Sequence, residues 1–143
     1  MYKNFTLEEF ARSGTADRLR IDNTPPQEVV AHIGELVGSI LQPLRDSWGK
    51  PIVVTSGYRC NKLNDAVGGV KNSAHLSGYA ADVQPNDMSD FGYFVDYLTA
   101  FVQGRCTRFD QIIIEESKSA KWVHIAVRDN TGKQRMQLFG MKV

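Results

Sequence analysis

The chain contains 143 residues, which is enough for one domain of ordinary size and too few for two. Hydrophobic residues make up 42% of the chain and charged residues 23%, a composition typical of globular proteins rather than of disordered, fibrous or membrane proteins. Seventeen Lys and Arg face sixteen Asp and Glu, and the formal net charge of +1 argues against a nucleic acid partner. We therefore expect one domain over residues 1–143.

A capping box predicts the first helix. Thr6 is followed by Glu9 at the required spacing, and the helix should stop before Gly14. The first ten residues lack the apolar core of a secretory signal, so we expect synthesis in the cytoplasm without an export signal. No apolar run approaches the roughly 20 residues of a membrane span, so none is expected.

The main core helix is predicted after Thr24-Pro25-Pro26, because apolar residues then recur at spacings of three and four. Pro43 lies inside this pattern and should kink or break the helix, and Gly49-Lys50-Pro51 should end it. The β-branched run Ile52-Val53-Val54-Thr55 then predicts a buried strand.

The middle of the chain mixes short elements with a long loop. Residues 60–67 predict a short helix, and an irregular stretch follows over residues 68–78. Loops of that length are usually functional. Residues 80–83 predict a brief strand, and the apolar stripe over residues 91–102 predicts a second amphipathic helix.

The last third of the chain changes to a strand-like period. Residues 109–115, 122–127 and 134–139 predict strands, and the turn residues 129–132 should join the last two into an antiparallel meander. Helices early and strands late predict an α+β fold, with helices packed on one side of a small antiparallel sheet.

The histidines carry the clearest chemical pattern. His75 opens the spacing His75-x-x-Gly78-x-Ala80-x-Asp82, and His124 lies on a predicted strand. A catalytic zinc site takes three His or carboxylate ligands and leaves one position for water, and these three side chains supply that number. A metal held there would polarise a carbonyl group and lower the pKa of a bound water to about 7. His32, inside the main helix, is assigned no catalytic role.

Four segments together carry a family resemblance. The element Ser73-x-His75-x-x-Gly78-x-Ala80-x-Asp82, with Ser56-Gly57-Tyr58-Arg59, Trp122-Val123-His124 and residues 109–115, resembles the zinc D-alanyl-D-alanine carboxypeptidase and endolysin group of metallopeptidases, the M15 family. The resemblance covers roughly residues 25–127. It implies the fold shared with Hedgehog-type signalling domains, Zn²⁺ as cofactor and hydrolysis of peptidoglycan stem peptides. It leaves open whether a D-Ala-D-Ala or an L-Ala-D-Glu bond is cleaved.

The resemblance also implies roles for single residues. His75, Asp82 and His124 would be the zinc ligands. Arg59 would bind the substrate, since a guanidinium can hold a peptide carboxylate through two charge-assisted hydrogen bonds. Ser73 would hydrogen-bond the substrate or its scissile carbonyl.

The general base departs from the family pattern. Many relatives place an acidic residue three positions before the second histidine, whereas this chain has Lys121 there. Glu115 matches a glutamate found in one branch of the family, and Glu116 is its rival. Because successive strand residues face opposite sides, at most one of the two should reach the water that attacks the substrate, and we favour Glu115.

Lys121 keeps a second hypothesis open, a non-catalytic binding domain stabilised by zinc. A third hypothesis is a structural component of a phage particle in which the site is retained. If the protein is an enzyme, we expect it to act at the bacterial cell wall or periplasm after lysis, a holin or particle delivery has brought it there. Both a phage and a cellular origin fit the sequence. Pairing of Cys60 with Cys106 and the oligomeric state are left open.

Overall fold

Residues 2–105, 107–139 and 141–142 are described by the computed structural model, the last two for their backbone alone. The six α-helices are α1 (Leu7–Ala11), α2 (Gly14–Leu19), α3 (Gln27–Leu36), α4 (Gln42–Trp48), α5 (Asn61–Ala66) and α6 (Phe91–Gly104). The strands are β1 (Ile52–Ser56), β2 (Ala80–Pro85), β3 (Gln111–Glu116), β4 (Lys121–Ala126), β5 (Gln137–Leu138) and β6 (Met141–Lys142). Cys106 lies outside the described residues, so the predicted alternatives for its pairing with Cys60 are not tested. None of the helices in the described ranges is long and apolar enough to cross a membrane.

The first helix confirms the capping box, and a second helix follows that the sequence analysis missed. Thr6 Oγ1 accepts a hydrogen bond of 3.3 Å from the backbone N–H of Glu9 at the start of α1. Ser13 caps α2 in the same way, accepting from the N–H of Ala16 at 3.2 Å. The missed helix has 6 residues, too few for the apolar period to be visible.

The main helix, in which Pro43 was predicted to cause a kink or break, changes from α-helical to π-helical geometry just before that proline. α3 begins at Gln27 directly after Pro26, and a π-helical turn over Val37–Leu41 separates it from α4. Pro43 lies in the first turn of α4. Proline offers no N–H and its ring clashes with the carbonyl one turn earlier, so the wider π turn falls just before it.

The sheet has the strand order β1-β2-β4-β3-β5-β6, and one predicted pairing is wrong. The last strand was expected to extend an antiparallel meander beside β4, but β5 pairs with β3 and runs parallel to it. The predicted turn does form, since Asp129 Oδ1 accepts from the N–H groups of Thr131 and Lys133. β4 already lies between β2 and β3, so it has no free edge for another strand. The chain therefore continues to the outer edge of β3.

The two faces of the sheet have different surroundings. Alternate residues of β2 and β4, such as Val83 and Val123, belong to one buried apolar cluster with side chains of α3 and α6. The residues between them face the other way, and Asp82 pairs directly with His124 across β2 and β4. The predicted α+β fold is confirmed, and its polar sheet face is the one that carries the candidate ligands.

Candidate metal centre

Three predicted ligands come together from three separate elements. His75 lies on a 3₁₀ turn (Ala74–Ser77), Asp82 on β2 and His124 on β4. One ligand atom from each lies within 4.8 Å of the other two. Asp82 Oδ1 is central, at 3.3 Å from His75 Nε2 and 3.1 Å from His124 Nδ1. This placement is the one the sequence analysis predicted.

A backbone carbonyl orients His75. Its Nδ1 lies 2.6 Å from the carbonyl oxygen of Gly57, and the residue is only 2% exposed. A carbonyl can only accept, so the proton of the neutral ring resides on Nδ1. When the ring is neutral, as metal binding requires, Nε2 is the nitrogen that presents a lone pair to the other two side chains, an arrangement that metal-binding histidines commonly use.

Two glycines of the motif allow close approach of backbones. A Cβ atom at Gly57 would lie 2.6 Å from the Cα of Phe10, so no other residue fits where this strand end crosses α1. Gly78 ends the 3₁₀ turn at a φ of +79°, and a Cβ there would lie 2.7 Å from Cγ1 of Val29. The loop that carries His75 is thus seated directly on α3.

Asp82 is held in its ionised form. Burial alone would raise the pKa of its carboxyl group, but hydrogen bonds from His124 and His75, together with their charge, hold it well below its usual range. Two imidazole nitrogens and one carboxylate oxygen are a donor set that zinc accepts in catalytic sites. The residues present therefore fit a zinc ion.

The ligands lie in a cleft of about 580 Å³ that also holds the other predicted site residues. One wall is formed by the loop before the 3₁₀ turn, and the floor by the polar face of β3 and β4. Predicted site residues that line the cleft together with the three ligands are Arg59, Ser73 and Glu115, and Trp122 lies beside them.

Arg59 lies in the cleft, and its guanidinium has N–H donors that are not used in hydrogen bonds to the described residues. Its backbone N–H donates to the carbonyl of His75 at 3.1 Å, whereas its buried Nε contacts no acceptor among the described residues. Burial lowers the pKa of Arg59, and the negative charges of Asp82 and Glu115 oppose that shift. The guanidinium is thus an available cation close to the ligand cluster.

Ser73 has a structural task as well as a place in the cleft. Its Oγ accepts a hydrogen bond of 3.1 Å from the backbone N–H of His75 and so caps the 3₁₀ turn. The hydroxyl proton is not used in that contact and can be donated to another group.

The sheet register separates the two candidate bases. Glu115 pairs with Trp122 on β4, accepts from its Nε1 at 3.2 Å and lies 3.9 Å from Nδ1 of His124. Glu116 is exposed, lies on the other side of β3 and does not line the cleft. Its partner Lys121 also faces away, with Nζ 5.0 Å from the ring centroid of Phe91. An acid at position 121 would therefore not reach the ligands in this register.

Two polar clusters near the site were missed by the sequence analysis. Asp110 and Arg135 form an ion pair that lines the far end of the cleft. The buried Asn23 donates to the carbonyls of Ala11 and Tyr58 and accepts from the N–H of Cys60, so it fixes the backbone on both sides of Arg59. Neither cluster has a local sequence pattern, because the partners are far apart in the chain.

His32 is packed away from the ligands. Its Nδ1 lies 2.7 Å from the carbonyl oxygen of Ser77, and its ring stacks on Tyr79 with centroids 4.0 Å apart. It does not belong to the ligand cluster.

Comparison with known proteins gives two findings. A family profile described as Peptidase M15 matches residues 3–126. A zinc D-Ala-D-Ala carboxypeptidase of Streptomyces albus G is 48% identical over 44 residues, which are 30% of this chain and 17% of that relative. The chain therefore matches only a short part of the relative's length.

Proposed function

The chain belongs to the peptidase M15 family, and from this premise we propose that it is a zinc peptidase that hydrolyses peptidoglycan stem peptides. The observation that carries the proposal is the cluster of His75, Asp82 and His124 at the floor of an open cleft. The matched part of a zinc D-Ala-D-Ala carboxypeptidase supports both the metal and the substrate class. Such a substrate places the protein at the bacterial cell wall or periplasm.

His75, Asp82 and His124 would hold the zinc ion. When bound, zinc supplies Lewis-acid chemistry to the scissile carbonyl and lowers the pKa of water. The protein contributes rigidity, because the Gly57 carbonyl fixes the His75 ring and the β2–β4 pairing fixes Asp82 against His124.

Arg59 would bind a carboxylate of the stem peptide. Both candidate bonds, D-Ala-D-Ala and L-Ala-D-Glu, are followed by a residue that can present a free carboxylate. A partly buried guanidinium whose Nε contacts no acceptor among the described residues suits this task. Binding there would orient the bond to be cleaved over the ligand cluster.

Glu115 would transfer the proton of the reaction. It takes a proton from the water whose oxygen forms the new bond to the carbonyl carbon, and gives it to the amine nitrogen as the C–N bond breaks. The Trp122 N–H holds one carboxylate oxygen, and that contact keeps the group on the cleft side of the sheet. Ser73 would donate its hydroxyl proton to the substrate.

The test compares metal-free and zinc-loaded protein on purified peptidoglycan, with mass spectrometry of the released products. Zinc-dependent release of D-Ala, or of peptides beginning at D-Glu, is expected and identifies the bond. The relative's name makes D-Ala release the first product to look for. Absence of any product with zinc, cobalt and manganese would overturn the proposal, and metal binding without products would favour a non-catalytic binding domain.

A further inference from the structure

A fixed ion pair closes the end of the cleft where β3 begins. Nε and Nη2 of Arg135 each donate to a different carboxylate oxygen of Asp110 at 2.8 Å, and the backbone N–H of Arg135 donates at 3.0 Å. The Asp110 side chain is 1% exposed, whereas that of Arg135 is 43% exposed. The guanidinium is therefore held in one orientation while part of it stays open to the cleft.

Arg135 keeps hydrogen-bond donors for a ligand. A guanidinium has five N–H donors, and the contacts with Asp110 engage only two of them. No residue in the described ranges accepts from Nη1 of Arg135. Because Arg135 lines the same cleft as the metal ligands, those donors are available to a molecule bound there.

The charges at this end favour a neutral acceptor. Asp110 offsets the charge of Arg135, and Asp129 lines the same end of the cleft. The hydrogen bonds to Asp110 raise the pKa of Arg135 and keep it protonated. A second carboxylate would meet two carboxylates already in place, whereas a peptide carbonyl oxygen would meet only the free N–H groups.

The strand register gives the distance between the ligand cluster and Asp110. The charges of Asp82 and Glu115 act on the pKa of Arg59, so Arg59 lies near both carboxylates. Glu115 lies near the end of β3, opposite the end where Asp110 precedes the strand. His124 pairs with Ile113, so Asp110 lies about 10 Å from that pair along the strand at about 3.4 Å per residue. An extended peptide bound over the ligands would cover that distance with about three residues.

We infer that Arg135 determines specificity for longer peptides by binding a backbone carbonyl on the amino side of the cleaved bond. The inference rests on the proposed function, in which Arg59 holds the carboxylate on the other side of that bond. A carbonyl contact at Arg135 would make the cleft a site for an oligopeptide, since a dipeptide would fill only the end near Arg59.

The test measures kcat/KM of zinc-loaded wild type and Arg135→Gln on two substrates that contain the same cleaved bond. One is N-acetylmuramoyl pentapeptide, in which four residues precede the terminal D-Ala, and the other is N-acetyl-D-Ala-D-Ala. We expect kcat/KM to fall about tenfold on the long substrate, the size of one lost charge-assisted hydrogen bond, and less than twofold on the dipeptide.

Two further variants keep the result interpretable. Arg135→Gln leaves the buried Asp110 without its guanidinium, so Asp110→Asn/Arg135→Gln is measured as well, because it removes both charges together. Arg108→Gln removes an exposed arginine that bonds Gln134 and does not line the cleft, and it should leave both rates unchanged. Zinc content and thermal unfolding report whether each variant is folded.

Equal losses on the two substrates, or no loss on either, would overturn the role of Arg135 while leaving the proposed function intact. Failure of the zinc-loaded wild type to cleave either substrate would instead overturn the proposed function and this inference with it.

Discussion

At the scale of single residues, alternation along β3 assigns opposite surroundings to two neighbouring glutamates. Glu115 contacts Trp122 and lies near His124, and Glu116 faces the other side of the sheet. The same alternation directs Lys121 toward Phe91, so the missing acid at that position leaves the cleft unchanged. Glu115 is therefore the acidic residue of this strand pair that the register places beside His124, as the proposed base must lie.

Glu115→Gln should separate chemistry from metal binding. Gln keeps the oxygen that accepts from Trp122 but cannot take up a proton, so kcat should fall by at least about a hundredfold. Zinc content should stay at the wild-type level, because Glu115 is not in the ligand cluster. Rates from released product and zinc from elemental analysis provide the measurement.

Glu116→Gln is the matched control for that variant. It makes the same chemical change one residue along the strand, outside the cleft, and should alter kcat by less than about twofold. Equal effects of the two substitutions would show that Glu115 does not act as the base.

At the scale of elements, the site depends on how a short 3₁₀ turn packs on a helix. Gly78 ends the turn that carries His75, and its backbone approaches Val29 and Ile33 of α3. The position of the turn that carries His75 is therefore determined by direct contact of the Gly78 backbone with the side chain and carbonyl oxygen of Val29.

Gly78→Ala should destabilise the protein by more than Gly68→Ala. Both glycines have a φ near +75°, so alanine costs about 1 kcal/mol of backbone strain at either position. Only at Gly78 would the new Cβ meet a neighbour, 2.7 Å from Val29 Cγ1, which should add about 1–3 kcal/mol. Urea unfolding of the two metal-free variants measures the difference, and equal losses would contradict the packing argument.

The elements also show where sequence reasoning succeeds and where it fails. His75 and Asp82 are close in the chain and His124 lies on a predicted strand, so the convergence of the three side chains could be predicted from their spacing and the family resemblance. The parallel pairing of β5 with β3 could not be predicted from the sequence, because it depends on both edges of β4 being already paired. The Asp110–Arg135 pair was missed for a similar reason, since only the tertiary path brings its members together.

At the scale of the whole molecule, one face of the sheet packs in the hydrophobic core and the other carries the candidate metal site. The helices α3 and α6 cover the apolar face, and the ligands lie on the other. The three candidate ligands come from three separate elements, the 3₁₀ turn, β2 and β4. A bound metal would therefore link these elements on the polar face, where the apolar core makes no contacts between them.

Zinc should therefore raise the melting temperature of the protein. At a free zinc concentration about a hundredfold above Kd, the native state gains about 2.7 kcal/mol, which corresponds to about 8 °C in Tm for a domain of this size. His75→Ala should abolish the shift, as calorimetry with and without zinc would measure.

His32→Ala is the control for that measurement. It removes the histidine that bonds Ser77 outside the cluster, so the zinc-dependent part of Tm should remain even if the baseline falls. Loss of the shift in both variants would contradict the assigned ligand set.

The position of β4 in the sheet also has a consequence for folding kinetics. β4 follows β3 in the chain and pairs with it, but it also pairs with the earlier β2, so Asp82 meets His124 only after a long loop has closed. Contacts of such high sequence separation form slowly. A chain whose β2 and β4 are still unpaired has not yet brought His124 to His75 and Asp82, so the three-residue cluster forms only with the fold. Metal selection is thus left to the folded protein, and zinc added before or after refolding should yield the same final site.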